Sequence, residues 1–342
     1  MTIEILKPEQ YQSWNEFVDL SPQGDPFCYS WWLDTITRSN FRILAALIND
    51  EIVAGIPMAL DDLHRINEPP LTRTLGVLFH PQPDLSTRNR KSSERKMVTE
   101  LLRHLPLNDF VQTCTHHTLT DWLPFRWIGL LQTTRYTYIL DYTNRTVDDL
   151  WAMLDHETRT VVRRASERRL MVDTTNDIEL VYKYQSLSLE RHGAHFNISD
   201  TDLKALDNAI VKNGSRTIFK AYDTDNTIHA VVYVVSSSKS AYTLMSGSDP
   251  ELRQLGGHTL VLWEAIKYFS GKTGYFNFGG SDIQGVESHF RTFGATQTPY
   301  FHIYSAPFGL KRTDIRYHLK QIWLHLRELG GIMKVRVHKA FR

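Results

Sequence analysis

One order of elements occurs twice in this sequence, and that repetition constrains the fold more than any single motif. Arg42-Ile43, Ala46, a polar turn and Ile52-Val53-Ala54 correspond to Arg216-Thr217, Ala221, a polar turn and Ile228-His229-Ala230. Two apolar runs around a short polar turn read as a hairpin. After each hairpin come a further strand, an amphipathic helix and another strand. In the first half the helix spans 92–105 and the strand 109–115; in the second they span 256–270 and 275–278. An echo ordered over so long a span predicts two copies of one α/β unit. The length of 342 residues agrees, since about 100–200 residues make one domain. The units run over 1–143 and 144–310, and a basic helix and tail fill 311–342.

Other segments fill in the frame. Apolar spacing predicts a helix over 10–20, which the turn-rich SPQGDP ends, and a second helix-like segment starts at Phe27. Strands are expected in LTRTLGVLFHP, which Pro81 stops, and in RYTYILDY at 135–142. A capping-box start at Thr146 leads into a helix running through 157–172, whose polar face carries Arg159, Arg163, Arg164, Arg168 and Arg169. Helices over 177–192 and 199–213 follow.

Composition removes several classes. A hydrophobic content of 42% and a charged content of 23% are those of an ordinary globular protein. A net charge of +1 gives no global attraction to polyanions, so any such binding rests on local clusters. There are two, the arginine face of 157–172 and the basic segment 311–342. Cys28 and Cys114 make no disulfide framework and lack metal-ligand spacing in sequence, which fits a reducing compartment. No signal-like start and no uncharged apolar run of about 18 residues is present, so the expected location is cytoplasmic, with peripheral membrane contact through the basic end.

The stretch Tyr275 to Ala295 reads either as a buried strand, glycine turn and short packing helix or as the place that carries the chemistry. A strand alternates through Phe278, then breaks at Gly279-Gly280, where backbone without Cβ turns tightly or admits a ligand. Ser281 and Asp282 follow, then a short helix with Val286, Phe290 and Phe293, closed by Gly294. Arg291 on that helix either faces solvent, pairs with Glu287 one turn away, or meets an anion. Near the N-terminus, Trp31 and Trp32 are adjacent and cannot both face one core, so one lines a cleft or sits shielded at the surface.

RTVVRRASERRLMV, LERHG at 189–193, the glycine pair 256–257, FNFGGSD at 276–282 and HFRTFGA at 289–295, with FCYSWWL and RYTYILDY, occur in an order that resembles the Fem-like branch of the GNAT acyltransferase superfamily. The resemblance is densest over 136–301. It implies an α/β (α+β) fold of two tandem GNAT-like units, each a mixed, largely antiparallel sheet flanked by helices. It further implies transfer of an acyl or aminoacyl group, from acyl-CoA or aminoacyl-tRNA, to an amine of a cell-envelope or polysaccharide precursor, with no tightly bound cofactor and no metal. Such chemistry needs a fixed donor for the carbonyl oxygen and an acceptor for the amine proton. By resemblance, Arg291 stands where a lysine adjoins the reacting carbonyl, and Asp282, Glu287 and His289 are candidate proton acceptors. Arg164, helped by Arg159 and Arg163, aligns with an arginine that holds a diphosphate, while Trp32, Arg191, Phe278, Gly279, Gly280 and Ser281 fall on the substrate side. Asp34 replaces a lysine expected after the tryptophan and repels a diphosphate. Arg253, Gly256 and Gly257 match a pyrophosphate-binding turn loosely, with His258 where a small residue is expected. The competing reading is a non-catalytic tandem protein that holds anionic glycan, lipid headgroups or RNA on its basic helix and tail.

Overall fold

The structure, a computed structural model, describes residues 1–106, 110–191, 193, 195–280 and 283–305. Its first sheet is antiparallel throughout, in the order β1 (Thr2–Ile5), β2 (Phe41–Ile48), β3 (Glu51–Ala59) and β4 (Leu78–Phe79). The β2–β3 turn is Asn49-Asp50, both at positive φ, the backbone that a two-residue hairpin requires. Helix α1 (Tyr11–Leu20) buries Trp14, Phe17 and Val18, and α2 (Ser30–Ile36) buries Trp32 and Leu33. Gly55 on β3 has no room for a side chain, because the Trp14 ring lies 2.4 Å from where its Cβ would stand. The Trp14 indole N–H donates to the Cys28 carbonyl at 2.8 Å, which removes the penalty for burying it.

Helix α3 (Thr87–Arg103) begins earlier than its apolar pattern predicts. The cap is Ser86, whose Oγ accepts from the Asn89 amide. Then come β5 (Gln112–Cys114), a short helix α4 (Leu123–Trp127) that the sequence reading lacks, β6 (Leu131–Asp141), α5 (Val147–Met153) and α6 (His156–Glu167). The helix expected to run through 172 stops at Glu167. Arg169 takes a left-handed φ of 61°, the Leu170 amide bonds back to Ala165, and Met171–Thr175 becomes strand β7. The rest of the described chain is α7 (Ile178–Glu190), α8 (Asp200–Lys212), β8 (Arg216–Tyr222), β9 (Ile228–Ser236), β10 (Ser240–Ser248), α9 (Gly257–Phe269), β11 (Tyr275–Asn277), α10 (Gln284–Arg291) and β12 (Thr296–Tyr304).

These strands form an eight-stranded sheet in the order β5-β12-β6-β11-β10-β9-β8-β7. Every pair is antiparallel except β10 with β11. The mixed, largely antiparallel architecture expected from the sequence is therefore present. Strands β5 and β6, which lie within 1–143, hydrogen-bond into this sheet, and β12 is threaded between them. The two units share one sheet, and apolar packing continues across them: Phe27 meets Tyr242 edge-on, with ring centroids 5.2 Å apart. Among the described residues no helix is long and apolar enough to cross a membrane.

Candidate active site

Strands β10 and β11 run side by side only from Ser240 to Tyr242, opposite Tyr275 to Asn277. Beyond that point they part. Strand β10 continues to Ser248 with a bulge between Thr243 and Met245, while the chain after β11 turns away at Gly279, whose φ is 76°. A Cβ on Gly280 would stand 2.1 Å from the Tyr136 carbonyl oxygen, so only glycine lets this segment lie against β6. The gap between the strands is a cleft of about 500 Å³. Its walls are β10 from Thr243 onward, Phe278 and Gly280, the 285–289 face of α10, the first turn of α9 and the end of α7. Arg73 reaches in from the first unit and donates to the Leu244 carbonyl at 3.4 Å.

Among the described residues, two polar atoms of this wall are buried without a hydrogen-bond partner: His289 Nε2 and Thr243 Oγ1. Burying such atoms unsatisfied costs about 1–3 kcal/mol each, which a substrate group can recover. Burial disfavours the imidazolium of His289, and the Arg253 guanidinium adds to this, so its pKa falls to about 4. His258, with its ring 5.4 Å from that of His289, falls to about 3 through burial, helped by His289, Arg253 and Arg191. Both imidazoles are neutral at pH 7. Exposed Arg191 and Arg253 stand beside the α9 N-terminus and make this end of the cleft positive. Burial and the charge of Arg253 lower the Arg191 pKa, as expected of two cations close together. The β10 edge has its amide donors engaged: Ser246 donates to Gln185 Oε1 at 2.9 Å and Ser248 to Ser188 Oγ at 3.2 Å.

Of the residues picked from sequence, Phe278, Gly280, Arg191, Arg253 and Gly256 line the cleft. Gly279 lines a small adjoining hollow with Arg73, His117, Thr137, Tyr242 and Tyr300. Gly256 and Gly257 serve packing. The first takes a φ of 83° against Val161 of α6, and a Cβ on the second would stand 2.6 Å from that of His229. Arg291 is outside the cleft lining; its Nε pairs with Glu287 Oε1 at 3.0 Å and its side chain is 60% exposed. Glu287 also accepts from the Tyr138 hydroxyl, so both of these residues are committed to the β6 side of α10. Helical periodicity explains the split: positions 285, 288, 289 and 292 face the cleft, and 287 and 291 lie off that face.

Trp32 is fully buried, its indole N–H donating to Thr72 Oγ1 at 3.1 Å, and it belongs to the core. The partly exposed tryptophan is Trp31, stacked on Tyr29. Arg159 donates to the Ala152 and Leu154 carbonyls and closes the α5–α6 corner. Arg163 lies over the Trp151 ring at 5.5 Å, and Arg164 is exposed on the same helix; none of the three lines the cleft. Ser281, Asp282 and the basic segment 311–342 lie outside the described residues. Sequence reasoning missed Arg73, Thr243 and Gln185. Arg73 sits in an unremarkable LTRTLG, and Thr243 differs from its neighbours only by falling at the bulge.

Residues 155–290 match the family model described as acetyltransferase (GNAT) domain, a span that includes β10, β11, α9 and most of α10. Among solved structures, FemX superposes with a TM-score of 0.63 at 13% identity, covering 88% of this chain and 97% of FemX. The chain therefore has the fold of FemX, with a GNAT-domain match over residues 155–290. The C-terminal domain of a putative lysylphosphatidylglycerol synthetase from Agrobacterium fabrum gives 0.52 at 11% identity, with 87% of this chain and 92% of that one covered. L-PGS from Bacillus licheniformis gives 0.50 at 14% identity over the same shares. No curated protein sequence matches this chain significantly.

Proposed function

We propose that this acyltransferase moves an acyl or aminoacyl group onto an amine in the cleft where β10 and β11 part. The observation that carries the reading is His289 Nε2, a neutral, buried imidazole nitrogen in the cleft wall with no partner among the described residues. Attack of an amine on an ester or thioester carbonyl places negative charge on the carbonyl oxygen and leaves a proton on the amine. In this reading His289 takes that proton, the Thr243 hydroxyl donates to the oxyanion, and Arg73 adds positive charge at the floor. The apolar wall of Leu244, Met245, Phe278 and Val286 holds the acyl chain. Arg191, Arg253 and the α9 N-terminus attract the phosphates of the donor, an acyl-CoA or an aminoacyl-tRNA. Gln185 and Ser188 occupy the β10 amides, so a donor is held at its phosphate end more than by adding a strand to β10. The acceptor is an amine of a cell-envelope or polysaccharide precursor.

The test is mass spectrometry of products formed by the purified chain from a panel of acyl-CoAs and charged tRNAs with amine acceptors. Transfer from one donor class is expected, and His289→Gln lowers turnover by about 10²–10⁴-fold with little change in donor KM. Full turnover by that variant removes His289 from the mechanism, and no transfer from any donor rejects the acyltransferase reading.

A further inference from the structure

Outside the cleft lining, three side chains of different donor chemistry converge. Cys114 on β5 and His302 on β12 are directly opposed in an antiparallel pair, so their side chains leave the sheet on the same face. Glu68, from the loop after β3, brings its carboxylate to them, and one ligand atom from each residue lies within 4.8 Å of the others. Cys114 and His302 are buried, and while the Glu68 carboxylate is held by Cys114, its buried Oε1 has no hydrogen-bond partner among the described residues. An orphaned acceptor of this kind calls for a cation or a donor.

From this convergence we propose that Glu68, Cys114 and His302 bind a zinc ion. A thiolate, an imidazole and a carboxylate form a donor set suited to Zn²⁺, whereas Mg²⁺ and Ca²⁺ require several oxygen ligands. Tetrahedral bonds of about 2.0–2.3 Å place ligand atoms about 3.5 Å apart, so the three close by roughly an ångström through side-chain rotation. An outer shell is already in place. His302 Nε2 bonds Gln112 Oε1 at 2.9 Å, Gln112 Nε2 donates to Asn67 Oδ1 at 3.0 Å, and Asn67 Oδ1 also accepts the Glu68 amide. With its Nε2–H given to Gln112, the ring offers Nδ1 as the lone-pair nitrogen. The positive Arg135 guanidinium already approaches the cluster, 3.5 Å from Cys114 Sγ and 3.9 Å from Glu68 Oε2. Its side chain is 41% exposed and withdraws towards solvent as the ion enters and the Cys114 thiol gives its proton to the buffer. The ion then ties a loop of the first unit to β5 and β12 of the shared sheet.

The experiment uses the untagged full chain with Zn²⁺ and Co²⁺ as probes. After dialysis about one zinc per chain is expected, and cobalt gives a thiolate-to-metal charge-transfer band that Cys114→Ser abolishes. Glu68→Gln, which keeps the side chain's shape, lowers zinc affinity, and Gln112→Ala, acting through His302, weakens it by about 10–100-fold. Zinc raises Tm and a chelator reverses it. No bound metal above the buffer level, a cobalt spectrum without the thiolate band, or affinity unchanged in both Cys114→Ser and Glu68→Gln overturns the proposal.

Discussion

The two copies of the repeated unit treat the same seam in opposite ways. In the first copy the segment leading into β4 lies against the strand that follows the helix: the Leu75 amide donates to the Cys114 carbonyl at 2.8 Å, and Gly76 packs where a Cβ would be 2.9 Å from Thr115 Cα. The seam is closed, and β5 goes on to pair with β12. In the second copy β10 and β11 hold together for three residue pairs and then separate. The glycine there, Gly280, packs on the Tyr136 carbonyl of β6 and not across the seam. Element order therefore specifies the unit, while the partner chosen by one glycine decides whether the unit contains a wall or a site.

The sharpest way to break this comparison is to remove one polar atom from each seam. Thr243→Val in the open copy deletes the donor assigned to the oxyanion, and turnover is expected to fall by about 10²–10³-fold. Thr113→Val deletes a hydroxyl that donates to Leu75 in the closed copy, at 3.4 Å, and turnover stays within about twofold. Steady-state kinetics with whichever donor is active compares them directly. Equal losses would mean that the closed seam takes part in transfer. A smaller effect comes from the glycines. Adding a methyl group at Gly280 or Gly76 overpacks backbone that has no room for it, at a cost of about 1–3 kcal/mol, and both alanine variants lose several degrees of Tm. Only Gly280→Ala also slows transfer, because only Gly280 lines the cleft.

Acidity sharpens the contrast further. Burial lowers His258 and His289 in the cleft to about 3 and 4, and His116 and His117 at the junction of the units to about 3. Between those values and the unfolded value of about 6.5 the unfolded chain binds protons that the fold excludes, so stability is lost as pH falls below that unfolded value. Asp25, Glu68 and Glu94 act in the opposite sense, since burial raises their carboxyls, but His302, lowered to about 4, joins the four histidines on the other side. Tm is therefore expected to rise from about pH 5 to pH 7, and His289→Gln flattens that slope. A Tm that is flat or falls over this range contradicts neutral burial of these histidines.

Much of the frame was legible because periodicity and turn chemistry are local. The hairpins over 41–60 and 216–236, the helix that became α9 and the strand ending at Gly279 all follow from apolar spacing and from Asn, Asp and Gly at the turns. Four residues named from the Fem-like motifs, Phe278, Gly280, Arg191 and Arg253, line the cleft. What sequence could not supply was direction. Arg291 and His289 sit two residues apart on one short helix, and only the packing of α10 shows that the histidine faces the cleft while the arginine turns to Glu287. Trp31 and Trp32 pose the same problem, and burial assigns Trp32 to the core. Arg73 reaches the site from another unit, a relation that no local pattern encodes. The exchange of β5 and β6 into the second sheet likewise rests on long-range pairing.

The α6 arginines give the smallest expected effect, and they test whether visible charge or buried geometry marks the site. Arg164→Ala removes an exposed side chain and is expected to change stability by less than about 0.5 kcal/mol. Arg163→Ala also loses its contact with the Trp151 ring, worth about 0.5–1 kcal/mol at an exposed position. Neither variant is expected to alter KM for a small acyl-CoA, because neither residue lines the cleft. A long polyanion is a different probe, since it extends beyond the cleft mouth and across whatever positive surface lies alongside. If the double variant leaves the kinetics with small donors unchanged but raises KM severalfold for charged tRNA, with the difference shrinking as salt increases, α6 is a track for the body of the donor and not part of the reacting centre. Unchanged KM for both donors restricts α6 to packing against α9, where Gly256 meets Val161, and leaves recognition to Arg191 and Arg253.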